Sequence, residues 1–299
     1  MEIKYIDRES SKECVEKVYG DKAIELLYET SVGKFISGAL ASKLLTSVYG
    51  EQQNKSSSKK KIAPFIENYQ IDMDEFLPEE GRKESDPYSS FNQFFIRRFK
   101  EGRRPFSSNG DDFCSPCEAR YYAYDSLADD DEIPVKGSLW NASALLKNDT
   151  LAKDFEGGPA LLARLCPVDY HRFHFPDSGR VLEDYAVSGA FHSVNPIALK
   201  ANQHIFKDNE RYVSILETEN FGKLAYVEVG AMMVGKIVQS HSEKTFIKGD
   251  EKGYFLFGGS TVIVFGQKGK WSPSSDILEN TKNGIETYVK LGATIGKAH

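Results

Sequence analysis

Near residue 110 the spacing of apolar positions shifts from about four residues to about two, the periods of a helix and a strand. Upstream, Val32, Ile36, Leu40, Leu44 and Val48 recur at every fourth position. Phe35 and Ala39 widen that stripe and Lys34 and Lys43 fall off it, which predicts an amphipathic helix over 32–48. The run SSSKKK at 56–61 reads as a solvated linker, and Ile62, Phe65, Ile66 and Tyr69 predict a second, short helix. A third is predicted with Ser90 as its cap, Phe91, Phe95 and Phe99 on one face together with Phe94, and a basic tail of Arg97, Arg98, Lys100, Arg103 and Arg104. From Asp112 onward, short β-branched and aromatic runs are broken by Gly, Pro, Asn and Asp. Strands are predicted over 160–166, 181–187, 212–216, 224–229, 234–238 and 260–265, a spacing that favours antiparallel pairing over βαβ units. The expectation is an α+β protein: amino-terminal amphipathic helices over 1–110, then a β-rich, mainly antiparallel domain over 111–299.

Composition narrows the function classes. With 299 residues and 40% apolar positions the chain can bury a sizeable core. Lys and Arg total 38 against 44 Asp and Glu, a net charge of −6, the wrong sign for a surface that embraces nucleic acid, so no nucleic-acid partner is expected. Four cysteines are too few for a disulfide scaffold and point to a reducing compartment. Cys114 and Cys117 form a CxxC without a second pair, and no metal is expected. The charged start MEIKYIDRESSKE does not look like a signal peptide. The 32–48 stripe falls short of the roughly 20 apolar residues of a spanning helix, so no transmembrane helix is expected and a membrane would be met from its surface. The window FNQFFIRRFKEGRRPF at 91–106 has two readings: a basic, aromatic segment for an anionic membrane, or a Phe face packed on the core with its arginines in water.

Candidate chemistry concentrates in two places. His171 and His174 lie in CPVDYHRFHFP, bracketed by Pro167 and Pro176. A helix would put both rings on one face and an extended chain on opposite faces, so structural, metal-binding and general-base uses stay open. A base needs a hydroxyl to act on and a carboxylate to orient it. The hydroxyl is offered by KGDEKGYFLFGGSTVIVF at 248–265, where two glycines precede Ser260. They permit backbone conformations in which the serine Oγ approaches the carbonyl of the preceding residue. A glycine turn feeding a buried strand is the plainer alternative.

Six motifs in order give the chain a resemblance to the phosphatidylserine decarboxylase proenzymes. They are FNQFFIRRFKEGRRPF, SPCEAR at 115–120, LCPVDYHRFHFPDSG at 165–179, SVNPIAL at 193–199, VEVGAMMVGKI at 227–237 and the 248–265 segment. The resemblance implies self-cleavage between Gly259 and Ser260, by attack of the Ser260 hydroxyl on the Gly259 carbonyl and β-elimination. It implies a pyruvoyl cofactor made from Ser260, and a heterodimer of a β chain (1–259) and an α chain (260–299), alone or further dimerised. The pyruvoyl would form a Schiff base with phosphatidylserine, which then loses CO2 to give phosphatidylethanolamine. By the same resemblance His174 is the general base for cleavage, and His171 handles protons or the substrate carboxylate. The family's SP-x-DG pattern departs here to Glu118 and Ala119, so Glu118 would replace the orienting aspartate with one extra methylene. Two outcomes follow: a working enzyme of the catalytic domain 111–299 with Glu118 as orienter, or a poorly maturing or non-catalytic membrane-binding paralogue. A pyruvoyl decarboxylase of a soluble amino acid is a further alternative. A lipid substrate implies peripheral membrane association, on the cytoplasmic face, through the helices of 21–104.

Overall fold

The computed structural model describes residues 3–16, 50–127, 141–190, 192, 194, 205–231, 236–258 and 260–299. The helix expected over 32–48, the run Asp129, Asp130, Asp131 and Glu132, most of SVNPIAL, and Gly259 lie outside them. Thirteen strands surround the candidate chemistry: β1 (Lys4–Asp7), β2 (Lys12–Val15), β3 (Ala119–Tyr124), β4 (Ala160–Leu165), β5 (Arg172–His174), β6 (Gly179–Val187), β7 (Arg211–Thr218), β8 (Lys223–Gly230), β9 (Ile237–Gln239), β10 (Thr245–Phe246), β11 (Glu251–Phe255), β12 (Ser260–Gly266) and β13 (Glu286–Val289). Ten form one sheet in the order β10-β6-β7-β8-β12-β4-β3-β13-β1-β2, and β9-β11-β5 form a smaller one. All ladders of the large sheet are antiparallel except β1 on β13. The architecture is the expected α+β class with mainly antiparallel sheets.

At the middle of the large sheet, β4 (ALLARL) and β12 (STVIVFG) are buried at every position and β8 at all but its first. Mostly apolar runs buried on both sides suit strands covered on both faces, with the buried Arg164, Glu228, Ser260 and Thr261 as the polar exceptions. One cover is the helix Ser275–Lys282, whose Thr281 Oγ1 accepts the Ala123 N–H of β3 at 2.9 Å. The other is the small sheet, where Phe173 of β5 packs on Tyr226 of β8 and Phe255 of β11. All six predicted strands have counterparts. β1, β2, β3, β5, β10, β11 and β13 were not anticipated: KYID and KECV carry charged positions at the sheet's edge, and β1 pairs with a strand from the other end of the chain.

Helix α1 (Ile62–Tyr69) appears where the apolar spacing places it. The SSSKKK linker is instead a 3-10 helix with Ser58 buried, its hydroxyl donating to Gln53 O and accepting Phe91 N–H at 2.8 Å. Helix α2 spans only Phe91–Phe95, with Ser90 Oγ accepting Gln93 N–H at 3.2 Å as the expected cap. It ends before Phe99, which pairs in a short ribbon with Phe76 and stacks on its ring. Phe91, Phe94 and Phe95 are buried together with Ile62, Phe65 and Phe257. Arg97 is buried too, over the Phe76 and Phe94 rings. The aromatic half of the 91–106 window is therefore core, because three phenylalanines withdrawn from water gain about 1.5–3 kcal/mol each.

Candidate active site

Ser260 opens β12 between Gly230 of β8 and Leu165 of β4 and is fully buried. Side chains alternate along a strand and directly paired residues share a face, so Ser260 lies on the face of Glu228 and Tyr226, beneath the small sheet. Upstream, the chain bends at Phe257 and Gly258. Gly258 has φ +145°, a conformation that a Cβ disfavours.

The pairing of Ser260 with Leu165 decides what faces the hydroxyl. Immediately after β4 the chain turns through Cys166, Pro167, Val168 and Asp169 and returns as β5, so the residue between turn and strand, His171, comes back over the start of β12. His171 is fully buried, its ring stacked on Phe95 at 3.8 Å, and Phe95 and Phe91 both pack edge-on against Phe257. Its Nε2 is 2.9 Å from the Cys166 carbonyl oxygen. A carbonyl only accepts, so Nε2 carries the hydrogen, and Nδ1 presents a lone pair to Ser260 Oγ at 3.3 Å. Burial pushes the His171 pKa down to about 3, so the imidazole is neutral at physiological pH.

His174, three residues on, has the opposite arrangement. Its Nδ1 donates to Gly249 O at 2.9 Å and its Nε2 accepts from Tyr170 O–H at 3.2 Å. Both nitrogens are committed, and neither to Ser260. The extended alternative for the spacing of three is the one realised, since Arg172–His174 is a strand that sends the two rings apart. Glu118 is also elsewhere. Its carboxylate accepts from Arg104 Nε at 2.6 Å, from Tyr288 O–H at 2.8 Å and from Leu291 N–H at 3.3 Å, and makes no hydrogen bond to either histidine. Cys114 and Cys117 are buried free thiols, and among the described residues no group of three or more His, Cys, Asp or Glu side chains is placed to hold a metal.

A family model described as phosphatidylserine decarboxylase matches residues 91–297. The phosphatidylserine decarboxylase proenzyme of Fusobacterium nucleatum subsp. nucleatum is 40% identical over 98% of this chain and 97% of its own length. The chain belongs to the phosphatidylserine decarboxylase family. A proenzyme of the same name from Clostridium perfringens is 42% identical over 98% and 99% of the two chains. One from Clostridium botulinum is 41% identical over 98% of each. The alternative of a non-catalytic paralogue finds no support among these phosphatidylserine decarboxylase relatives.

Several residues of the site were not singled out from the sequence. Phe95 covers His171, and Asn92 Oδ1 accepts Phe257 N–H at 2.9 Å, holding the segment ahead of Ser260. The Cys166 carbonyl, rather than a carboxylate, meets the far nitrogen of His171. A backbone acceptor has no sequence signature. The only available signal was Pro167, which favours a turn at that point.

Proposed function

We propose that this chain is a self-processing phosphatidylserine decarboxylase that cuts itself between Gly259 and Ser260, and whose α chain, 260–299, begins with a pyruvoyl group. One observation carries the reading: the Ser260 hydroxyl faces the lone pair of a neutral, buried imidazole whose other nitrogen is fixed. His171 is the base in this reading. Its Nδ1 takes the hydroxyl proton as Oγ adds to the carbonyl carbon of Gly259, and the proton passes to the departing Ser260 nitrogen, giving an ester. Removal of the Ser260 Cα proton then breaks the Cβ–Oγ bond and releases the β chain as a carboxylate, leaving a dehydroalanine. Water adds to its imine tautomer, ammonia leaves, and a ketone remains.

The surroundings fit that group: the position is buried and faced by a neutral imidazole that stacks on Phe95. When formed, a pyruvoyl carbonyl supplies the electron sink for loss of CO2 from phosphatidylserine, a chemistry that no side chain here provides. After cleavage His171 is placed to hold or return a proton at the head of β12. His174, bound to Gly249 and Tyr170, orders the loop ahead of β11. Glu118 anchors Arg104 and Tyr288.

Among the described residues no helix is long and apolar enough to cross a membrane. Attachment to a lipid surface is assigned to the 32–48 stripe, since the phenylalanines of α2 face inward. The test is intact mass with activity. The parent should yield two chains, the smaller blocked at its amino terminus, and release CO2 from phosphatidylserine vesicles. Ser260→Ala should remain a single 33.6 kDa chain without activity. A parent that stays uncut, or an active Ser260→Ala, sinks the reading.

A further inference from the structure

We propose that Asp169 is the carboxylate that positions the His171–Ser260 pair, acting through the Cys166–Asp169 turn rather than by touching the imidazole. The proposal rests on His171 being the base for cleavage. A base histidine works only if its far nitrogen is fixed, and here that task falls to the Cys166 carbonyl. Asp169 governs both backbone atoms of Cys166. Its Oδ2 accepts Cys166 N–H at 2.6 Å, and its own N–H donates to Cys166 O at 2.9 Å. The sulfur is held as well, with Arg164 Nη1 donating to Cys166 Sγ at 3.0 Å. On the other side of the turn Arg97 Nη2 donates to Val168 O at 3.0 Å and Asp169 O at 3.4 Å. The residue that sets the His171 tautomer has no polar atom left loose.

The Asp169 carboxylate is in turn held by charge. It pairs with Arg120, whose Nε lies 3.1 Å from Glu16, and Glu16 pairs with Arg164 at 2.6 Å, which also pairs with Glu286 at 2.6 Å. All five side chains are buried. Glu16 follows β2, and its N–H donates to Ile3 O at 2.8 Å, so the docked amino-terminal strand pair completes the cluster. Glu118 belongs to a separate group around Arg104 and Tyr288. The orienting carboxylate that the sequence motif places at 118 is thus supplied, one turn removed, by Asp169. Displacing a reacting group by about 1 Å can cost on the order of a hundredfold in rate, and the turn is the part of the chain that sets the His171 position.

The experiment follows maturation of the freshly translated full-length precursor, by the fraction cut against time, in Asp169→Asn, Asp169→Glu, Glu118→Gln and His171→Ala. In parallel, the 15N shifts of the His171 imidazole are read in the uncuttable Ser260→Ala precursor with and without each Asp169 change. Asp169→Asn should slow cutting by on the order of a hundredfold and move the His171 shifts away from a pure Nε2–H tautomer. Asp169→Glu keeps the charge opposite Arg120 but displaces the oxygen from Cys166 N, so it tests the turn even if the asparagine variant does not fold. It too should cut more slowly than the parent. Parental cutting in Asp169→Glu, an unmoved His171 tautomer in a folded Asp169 variant, or a larger loss in Glu118→Gln than in either Asp169 variant overturns the proposal. Parental cutting in His171→Ala would overturn the base assignment instead, and the tautomer measurement would still decide whether Asp169 fixes the imidazole.

Discussion

The two sides of the Cys166–Asp169 turn differ in how their charges are arranged. Next to the Ser260 hydroxyl stands an imidazole whose pKa burial has lowered to about 3, stacked on Phe95, and the nearest buried charges on that sheet face, Glu228 and Lys252, are closed on each other at 2.6 Å. On the other side Glu16, Asp169 and Glu286 are interlocked with Arg120 and Arg164. A carboxylate in contact with His171 would favour the imidazolium and hold the proton there. A carbonyl fixes the tautomer without supplying a charge. The arrangement keeps the arginine–carboxylate cluster on one side of a turn and the proposed reacting pair on the other. In the proposed self-cleavage, which each molecule would perform once, a weakly basic imidazole is tolerable.

The sharpest way to break this contrast is at the base. His171→Ala should slow self-cleavage by about 10²–10⁴-fold, the usual contribution of a general base, with His174→Ala distinctly less harmful. Because His171 is already neutral, the cleavage rate of the parent should show no base titration between about pH 5 and 8. A rise centred near the ordinary histidine value would point to a solvated base. On the charged side, Arg164→Met leaves Glu286 buried without its guanidinium, and should cost about 3–5 kcal/mol in urea unfolding of the Ser260→Ala precursor.

Acid should erode the two sides in staggered windows, His171 first and Glu16 last, that overlap between about pH 4.5 and 3. Burial alone would raise the Glu16 pKa, but Arg164 and Arg120 outweigh it and hold the carboxyl at about 2. Its contribution, about 3 kcal/mol, is present above about pH 4.5 and is lost as pH falls toward 2. His171 has the lowered pKa of a buried neutral base, so below about pH 6.5 the unfolded chain takes up a proton that the folded chain refuses until about pH 3, and stability declines across that interval. In the Ser260→Ala precursor, His171→Gln should flatten the upper part of the stability profile and Glu16→Gln the lower. Identical profiles in all three would dissolve the distinction. The smallest effect belongs to the aromatic cover: Ser90→Ala removes the cap of α2 and should cost about 1 kcal/mol, with cutting little changed.

The central strands were legible because ALLARL and STVIVFG are short, mostly apolar runs, and α1 because its apolar residues follow a helical spacing. The amino-terminal strands were not: KYID and KECV are too short and too charged to signal a sheet, and β1 gains its place from β13, far along the chain. Phe99 continues the periodicity of α2 in sequence, yet the helix stops at Phe95 and Phe99 stacks on Phe76 instead. A tertiary partner overrode a local pattern.

Six motifs in order, through the family resemblance they carry, singled out Ser260 and the two histidines, where the local pattern alone left a glycine turn before a buried strand as the plainer alternative. Only the fold shows that His171 rather than His174 faces Ser260, and that Asp169 rather than Glu118 holds the turn before it. Ser260 and His171 are 89 positions apart and meet only because β12 pairs with β4 and the Cys166–Asp169 turn reverses the chain above that pairing. Side-chain direction in a strand alternates with every residue, so a long-range register, which no stretch of sequence encodes alone, determines which imidazole reaches the hydroxyl.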